Sequence, residues 1–223
     1  MQQKTAKTKV PFSKQFYLLL FLFSCTLSLA QESVLNESYF DGPYVGLTLG
    51  AQNIFGGALI DDLDVLGQKS ALVIELSAGY RIQFLNDRFI AGAALQFGIT
   101  DGDLTQTDTR NQMMVDYKNN SQFGYGIQIG VALGKKKAFL LYAFGNVTKR
   151  NFDITIMETS GFDFTQKDGQ RFGRYGLGVE IPMLKKFNIT ANVGRVSVDY
   201  GDLETNKDVD DKTDFNLGVV YQF

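Results

Sequence analysis

Histidine and tryptophan are absent from the 223 residues, cysteine occurs once and proline three times. Without an imidazole the chain can build neither a Ser-His-Asp triad nor the usual zinc sites, which removes a large part of known enzymology. A single cysteine forms no intrachain disulfide. Beyond residue 30 no stretch reaches the roughly 18 consecutive apolar residues of a membrane-spanning helix. What is present is 44% apolar residues, 23 glycines, and aromatics that are all Phe (19) or Tyr (10). That is too apolar for disorder, and the balance favours strands interrupted by glycine over helices.

The first 30 residues read as a targeting segment. Lys4, Lys7, Lys9 and Lys14 carry all their charge and precede an apolar run from Phe16 to Leu29. Ser28 and Ala30 then supply small residues for cleavage before Gln31, so 1–30 is expected to be a cleaved signal peptide and Ala30–Gln31 its processing site. A single transmembrane anchor is the alternative, but the run is short for one. Cys25 could serve as a lipoprotein acceptor, although Phe23 fits that motif badly. The chain holds 22 basic and 24 acidic residues, so loss of four lysines leaves it acidic, which argues against a nucleic-acid partner.

The remainder is dominated by a period of two. Val45, Leu47, Leu49 and Ala51 alternate with Tyr44, Gly46, Thr48, Gly50 and Gln52. Further runs start near Ala71 and Phe89, and the fourth is the cleanest: Phe123, Tyr125, Ile127, Ile129, Val131 and Leu133 against Gly124, Gly126, Gln128, Gly130, Ala132 and Gly134. Runs at 138–146, 172–181, 187–200 and 213–223 bring the total to eight. The fifth is ambiguous in parity between Leu140, Tyr142, Phe144 and Phe139, Leu141, Ala143. The seventh changes parity near Gly194, where a β-bulge is expected. If the bulky face met a soluble interior, the outside would be left with Gly, Ala and few charges. A lipid-facing bulky surface around a small, polar lumen is the better solution.

Connections alternate between long and short. Segments 53–69, 100–122, 147–171 and 201–212 are long, while 83–87, 135–137 and 182–186 are short. Outer-membrane barrels show this asymmetry because one rim faces the exterior and the other the periplasm. The expected organisation is a short periplasmic segment at 31–42 and a single eight-stranded antiparallel up-and-down β-barrel at 43–223. Phe152, Ile154 and Ile156, a turn at 157–161, and Phe162 with Phe164 predict a hairpin rising beyond the membrane with an edge open to strand addition. Two extra membrane strands, making ten, are the alternative.

The opening strand Tyr44–Gly50, the stretch Phe172–Glu180 and the ending Phe215–Phe223 resemble the eight-stranded outer-membrane β-barrel family. That family includes opacity-type surface proteins, outer membrane protein X and the N-terminal domain of outer membrane protein A. The resemblance implies residence in the outer membrane of a Gram-negative bacterium. It also implies that a C-terminal aromatic strand, ending here in Tyr221 and Phe223, is read by the assembly machinery. The lack of Trp departs from the usual aromatic girdle and leaves Phe and Tyr to form it.

Glu75 and Arg81 lie six residues apart on the small-residue face of the second run, and Arg174 and Glu180 do the same on the sixth. In a ring of eight these strands face each other, so Glu75–Arg174 and Arg81–Glu180 are the expected pairs across the lumen. The acidic segment Asp202, Glu204, Asn206, Asp208, Asp210 and Asp211 superficially resembles a calcium loop. It lacks the required Gly, replaced by Lys207, and the closing Glu, so a solvated surface loop is expected. No cofactor and no catalytic group are expected. The function expected is a structural or adhesin-like surface role through extracellular loops, with outer-membrane lipid, the assembly machinery and an extracellular protein or surface ligand as partners. A narrow passive channel is the alternative, and a lipid-directed enzyme the least favoured.

Overall fold

The computed structural model describes residues 39–60, 63–108, 113–134, 139–158, 161, 163–198 and 213–223. The expected signal peptide and the acidic segment at 202–211 lie outside them.

The strands are β1 (Gly42–Ile60), β2 (Leu63–Phe84), β3 (Phe89–Asp101), β4 (Asp103–Asp108), β5 (Met113–Leu133), β6 (Phe139–Glu158), β7 (Asp163–Leu184), β8 (Phe187–Val198) and β9 (Thr213–Gln222). Every pairing is antiparallel, and β1 pairs with both β2 and β9, which closes the ring. β3 and β4 both pair with β5 and form one stave interrupted at Gly102, so the wall has eight staves. Partners traced once round the ring return to β1 about ten residues away, and this stagger tilts the strands.

Residue size decides which face turns in. Leu47, Leu76, Phe97, Tyr125, Ile127, Leu177 and Leu217 point outward and are exposed, forming the apolar belt. Gly79, Gly126 and Gly178 point inward among polar side chains. At Gly178 a Cβ would collide with the Tyr142 ring, and at Gly79 it would lie 2.7 Å from that of Tyr44. The glycines therefore make room for two tyrosines crossing a lumen too narrow for large residues on every stave.

Several expectations are corrected. Most of 53–69 and 100–122 is strand, not loop, and within 147–171, where a hairpin is expected, strand runs through 147–158 and 163–171: pairing continues to Ile60↔Leu63, Met113↔Glu158 and Met157↔Asp163. Ladder hydrogen bonds are as available there as in the membrane, and polar composition concealed the strand signal. The ten-stranded alternative fails, because 152–158 continue β6 and 163–164 belong to β7. The parity of β6 is settled by Leu140 and Tyr142 pointing in, where they close the periplasmic end.

No register shift occurs at Gly194; pairing runs unbroken from Phe172↔Val198 to Pro182↔Asn188. The register slips instead between Asn119 and Ser121 and between Pro182 and Leu184. The first slip switches the inward residues of β5 from Val115, Tyr117 and Asn119 to Gln122, Gly124 and Gly126. It lies opposite the interruption at Gly102, whose carbonyl accepts a hydrogen bond from Asn119 Nδ2 at 2.5 Å. Two irregular strands thus satisfy one another.

Candidate functional site

The candidate site is the lumen and its rims, built in layers from the short-turn end upward. The lowest layer is an apolar plug of Phe40, Ile90, Ala132, Leu140 and Tyr142, with Tyr39 and Phe144 packed against it. Phe40 is fully buried, although it precedes β1 in the segment expected to be merely periplasmic. Its amide donates to Gln83 Oε1 at 3.2 Å, and the Gln83 amide donates to Asp41 Oδ1 at 2.9 Å. The Tyr39 hydroxyl lies 2.7 Å from both Leu184 O and Asn188 Oδ1. Partial burial, and then the negative charge of Glu180, push its pKa up to about 12, so it stays a neutral donor.

Directly above, Arg81 Nη1 and Nη2 donate to Glu180 Oε1 and Oε2, each at 2.8 Å, in a parallel fork that is 2% and 0% exposed at the two residues. Asn188 Nδ2 donates to the same carboxylate, and the guanidinium sits 4.0 Å above the Tyr44 ring. The desolvated charges therefore have both partners and a π-face.

The other expected pair is corrected. Arg174 Nε donates to Asp214 Oδ2 at 2.5 Å and its Nη2 to Asn192 Oδ1 at 2.6 Å. Glu75 Oε2 instead accepts from Gln122 Nε2 at 3.2 Å. The reason is local. Gly176, Gly194 and Asp214 are successive cross-strand partners on β7, β8 and β9, so the two glycines leave a clear path between Asp214 and the Arg174 head group. A Cβ at Gly194 would lie 2.8 Å from Asp214 Oδ1. This is what the glycine is for, rather than a bulge.

Higher still, Arg150 Nη2 donates to Gln122 Oε1 at 2.9 Å and to Gln52 Oε1 at 3.2 Å, with its guanidinium 4.6 Å from the Phe172 ring centre. The alternation of the sequence puts Gln52 in a strand but Gln122 and Arg150 in connections. The even parity of Asn146, Thr148 and Arg150 was the available signal. The uppermost layer is a second apolar plug of Ala71, Leu104, Val115, Tyr117, Phe152 and Ile154, backed by Ile156. Between the plugs lies a polar cavity of about 70 Å³, bordered by Ser77, Gln96, Gln128 and Asn146. Among the described residues no cluster of acidic or cysteine side chains could hold a metal.

The C-terminal end faces outward. The Tyr221 ring is edge-on to Phe223 at 4.9 Å and to Phe187 at 5.0 Å, and Phe223 is exposed.

A family model described as "Outer membrane protein beta-barrel domain" matches residues 17–223. The chain belongs to the outer membrane β-barrel family. Its place is accordingly the outer membrane of a Gram-negative bacterium. No curated protein matches it in sequence. Solved structures with a similar fold include the attachment invasion locus protein Ail of Yersinia pestis in complex with the heparin analogue sucrose octasulfate. That likeness is 14% identical, covers 82% of this chain and 99% of Ail, and has a TM-score of 0.45. Neisserial surface protein A is also 14% identical, over 82% and 98%, with a TM-score of 0.46. The N-terminal β-barrel domain of OprF from Pseudomonas aeruginosa is 14% identical over 81% and 97%, with a TM-score of 0.40.

Proposed function

We propose that this outer-membrane barrel is a non-enzymatic surface protein that acts through the strands it raises above the membrane. The observation behind this reading is the hairpin of β6 and β7, which stays paired up to Met157↔Asp163, well past the apolar belt. The β6 edge of that hairpin is covered by β5. Its β7 edge has no strand partner above Phe172 among the described residues. Phe164, Thr165, Gln166 and Lys167 are exposed there, so a partner's strand could be added by backbone hydrogen bonds, with Phe164 as an apolar contact. The ligand would be an extracellular protein or other surface ligand, the segment up to Ala30 being removed during export.

The test compares cells carrying the wild-type barrel with cells in which 155–165 is replaced by a two-residue Asn-Gly turn. Retention on a panel of immobilised matrix glycoproteins should fall to the empty-vector level in the shortened variant, at equal surface expression. Equal retention would exclude the hairpin.

A passive channel is the second reading, favoured by the polar cavity alone. Planar-bilayer conductance separates the two, since apolar plugs at both ends of the lumen support a closed barrel.

A further inference from the structure

The lipid-facing wall is not uniform around the ring. On β6 the outward residues Leu141, Ala143, Gly145 and Val147 lead to Lys149, and on β8 Ile189, Ala191 and Val193 lead to Arg195. On β7 the outward run Val179, Leu177 and Tyr175 passes Gly173 to Arg171. Three adjacent staves therefore end their apolar belt, toward the long-loop rim, in an exposed base. On four of the other five staves the corresponding positions are Ser70, Asp101, Ser121 and Thr213, none of them basic. Lys149 and Arg171 are direct cross-strand partners, and Arg195 stands opposite Tyr175. Like charges placed directly opposite repel. No carboxylate among the described residues forms an ion pair with any of the three.

Below these bases the wall is notched. Gly145 and Gly173 carry no side chain into a belt otherwise made of Ala, Val, Leu, Ile, Phe and Tyr, and a Cβ at either would meet nothing closer than 3.8 Å. Beside the notch lies an open groove of about 500 Å³, lined by Ala143, Tyr175, Leu177, Val193 and Arg195; Gly145 is the cross-strand partner of its Tyr175. Arg195 is common to the basic cluster and the groove.

We infer that the β6–β8 face binds a phosphorylated acyl lipid of the outer leaflet, with its phosphate held by Lys149, Arg171 and Arg195 and one acyl chain laid in the groove beside Ala143 and Gly145. A phosphate between Lys149 and Arg171 converts their repulsion into attraction, and guanidinium forks match its oxygens in pairs. The position suits the head group, because at the end of the belt a base costs little, unlike one at mid-membrane. A free phosphate would use the bases but not the groove. This inference concerns the membrane-level wall and is independent of the hairpin.

The experiment is native mass spectrometry of the refolded full barrel in detergent micelles, probed with diphosphorylated lipid A, dephosphorylated lipid A and inorganic phosphate. One diphosphorylated lipid per barrel should be retained, with at least tenfold weaker retention in K149Q/R171Q/R195Q and in Gly145→Trp, which fills the notch. Folding is checked by gel mobility before and after boiling, and K149Q/R195Q replaces the triple variant if that one does not refold. K118Q, which alters an exposed lysine on β5, should bind as the wild type does. Undiminished retention in the basic-site or groove variants, equal retention of the dephosphorylated lipid, equal loss in the lysine control, or displacement by millimolar phosphate would each overturn the assignment.

Discussion

Arg81 and Glu180 are about as enclosed as two charges can be, and their stability rests on the fork that joins them. Arg81→Ala would strand the Glu180 carboxylate beside Asn188, with an expected cost of about 3–5 kcal/mol in denaturant unfolding from micelles. Arg81→Ala with Glu180→Ala should cost less than the sum of the two, since the orphaned charge is gone. Additive losses would mean that the contact does not persist in the folded barrel. The same cycle separates the partners of Arg174: coupling to Asp214, its hydrogen-bonded partner, should exceed coupling to Glu75. At this scale the sequence was half legible. Six-residue spacing on two facing strands brings out Arg81 and Glu180 because both sit on unbroken alternation. Asp214 was overlooked although it lies in the eighth run at 213–223, since it directly follows an acidic stretch and its charge reads as the end of that stretch, and Gly194 reads as a bulge until the side chain that needs its space is known.

At the level of elements, strand identity was clearest where lipid enforces it. Ile127 and Leu177 must be apolar and Gly126 and Gly178 small, so alternation there is nearly pure. Above the membrane water accepts either face. β4 and the upper half of β5 then carry Thr, Asp, Lys and Asn, and their pairing shows only in the structure, whereas the alternation of Phe152, Ile154 and Ile156 predicts the hairpin of β6 and β7. Phe152 and Ile154 are exceptions because they close the lumen. The C-terminal strand yields a prediction of its own. Removing Phe223 takes the exposed outer ring from the Phe187–Tyr221–Phe223 cluster, and the amount inserted into outer membranes should fall under limiting expression while export across the inner membrane continues. Unchanged outer-membrane levels would free that residue of any assembly role.

For the whole molecule, closure of the ring and the two plugs act in series. The refolded barrel should migrate faster before boiling than after and should show no unitary conductance in a planar bilayer. Phe40→Ala should thin the lower plug without opening a path, because Tyr117, Leu104 and Phe152 still fill the upper end. Steady ionic current through the wild-type protein would contradict this arrangement and favour the channel reading.

The seam between β1 and β9 also imposes an order of events. These are the first and last strands in sequence, and they meet over eight residue pairs, from Tyr44↔Gln222 to Ala51↔Phe215. Across the same seam Gln222 Nε2 donates to the carbonyls of Asp41 and Pro43, and the Phe223 amide donates to Pro43 O at 3.1 Å. Until β9 is in place, β1 and β8 each present a long unpaired edge, and Gln222 is not there to hold the Asp41–Pro43 stretch that leads out of the Phe40 plug. The seam is therefore the longest-range strand pairing among the described residues and among the last to be made, and chain separation of that kind slows closure. Opening runs the same sequence backwards, so the latch at Asp41–Pro43 sets how long a finished barrel stays shut as well as how stable it is.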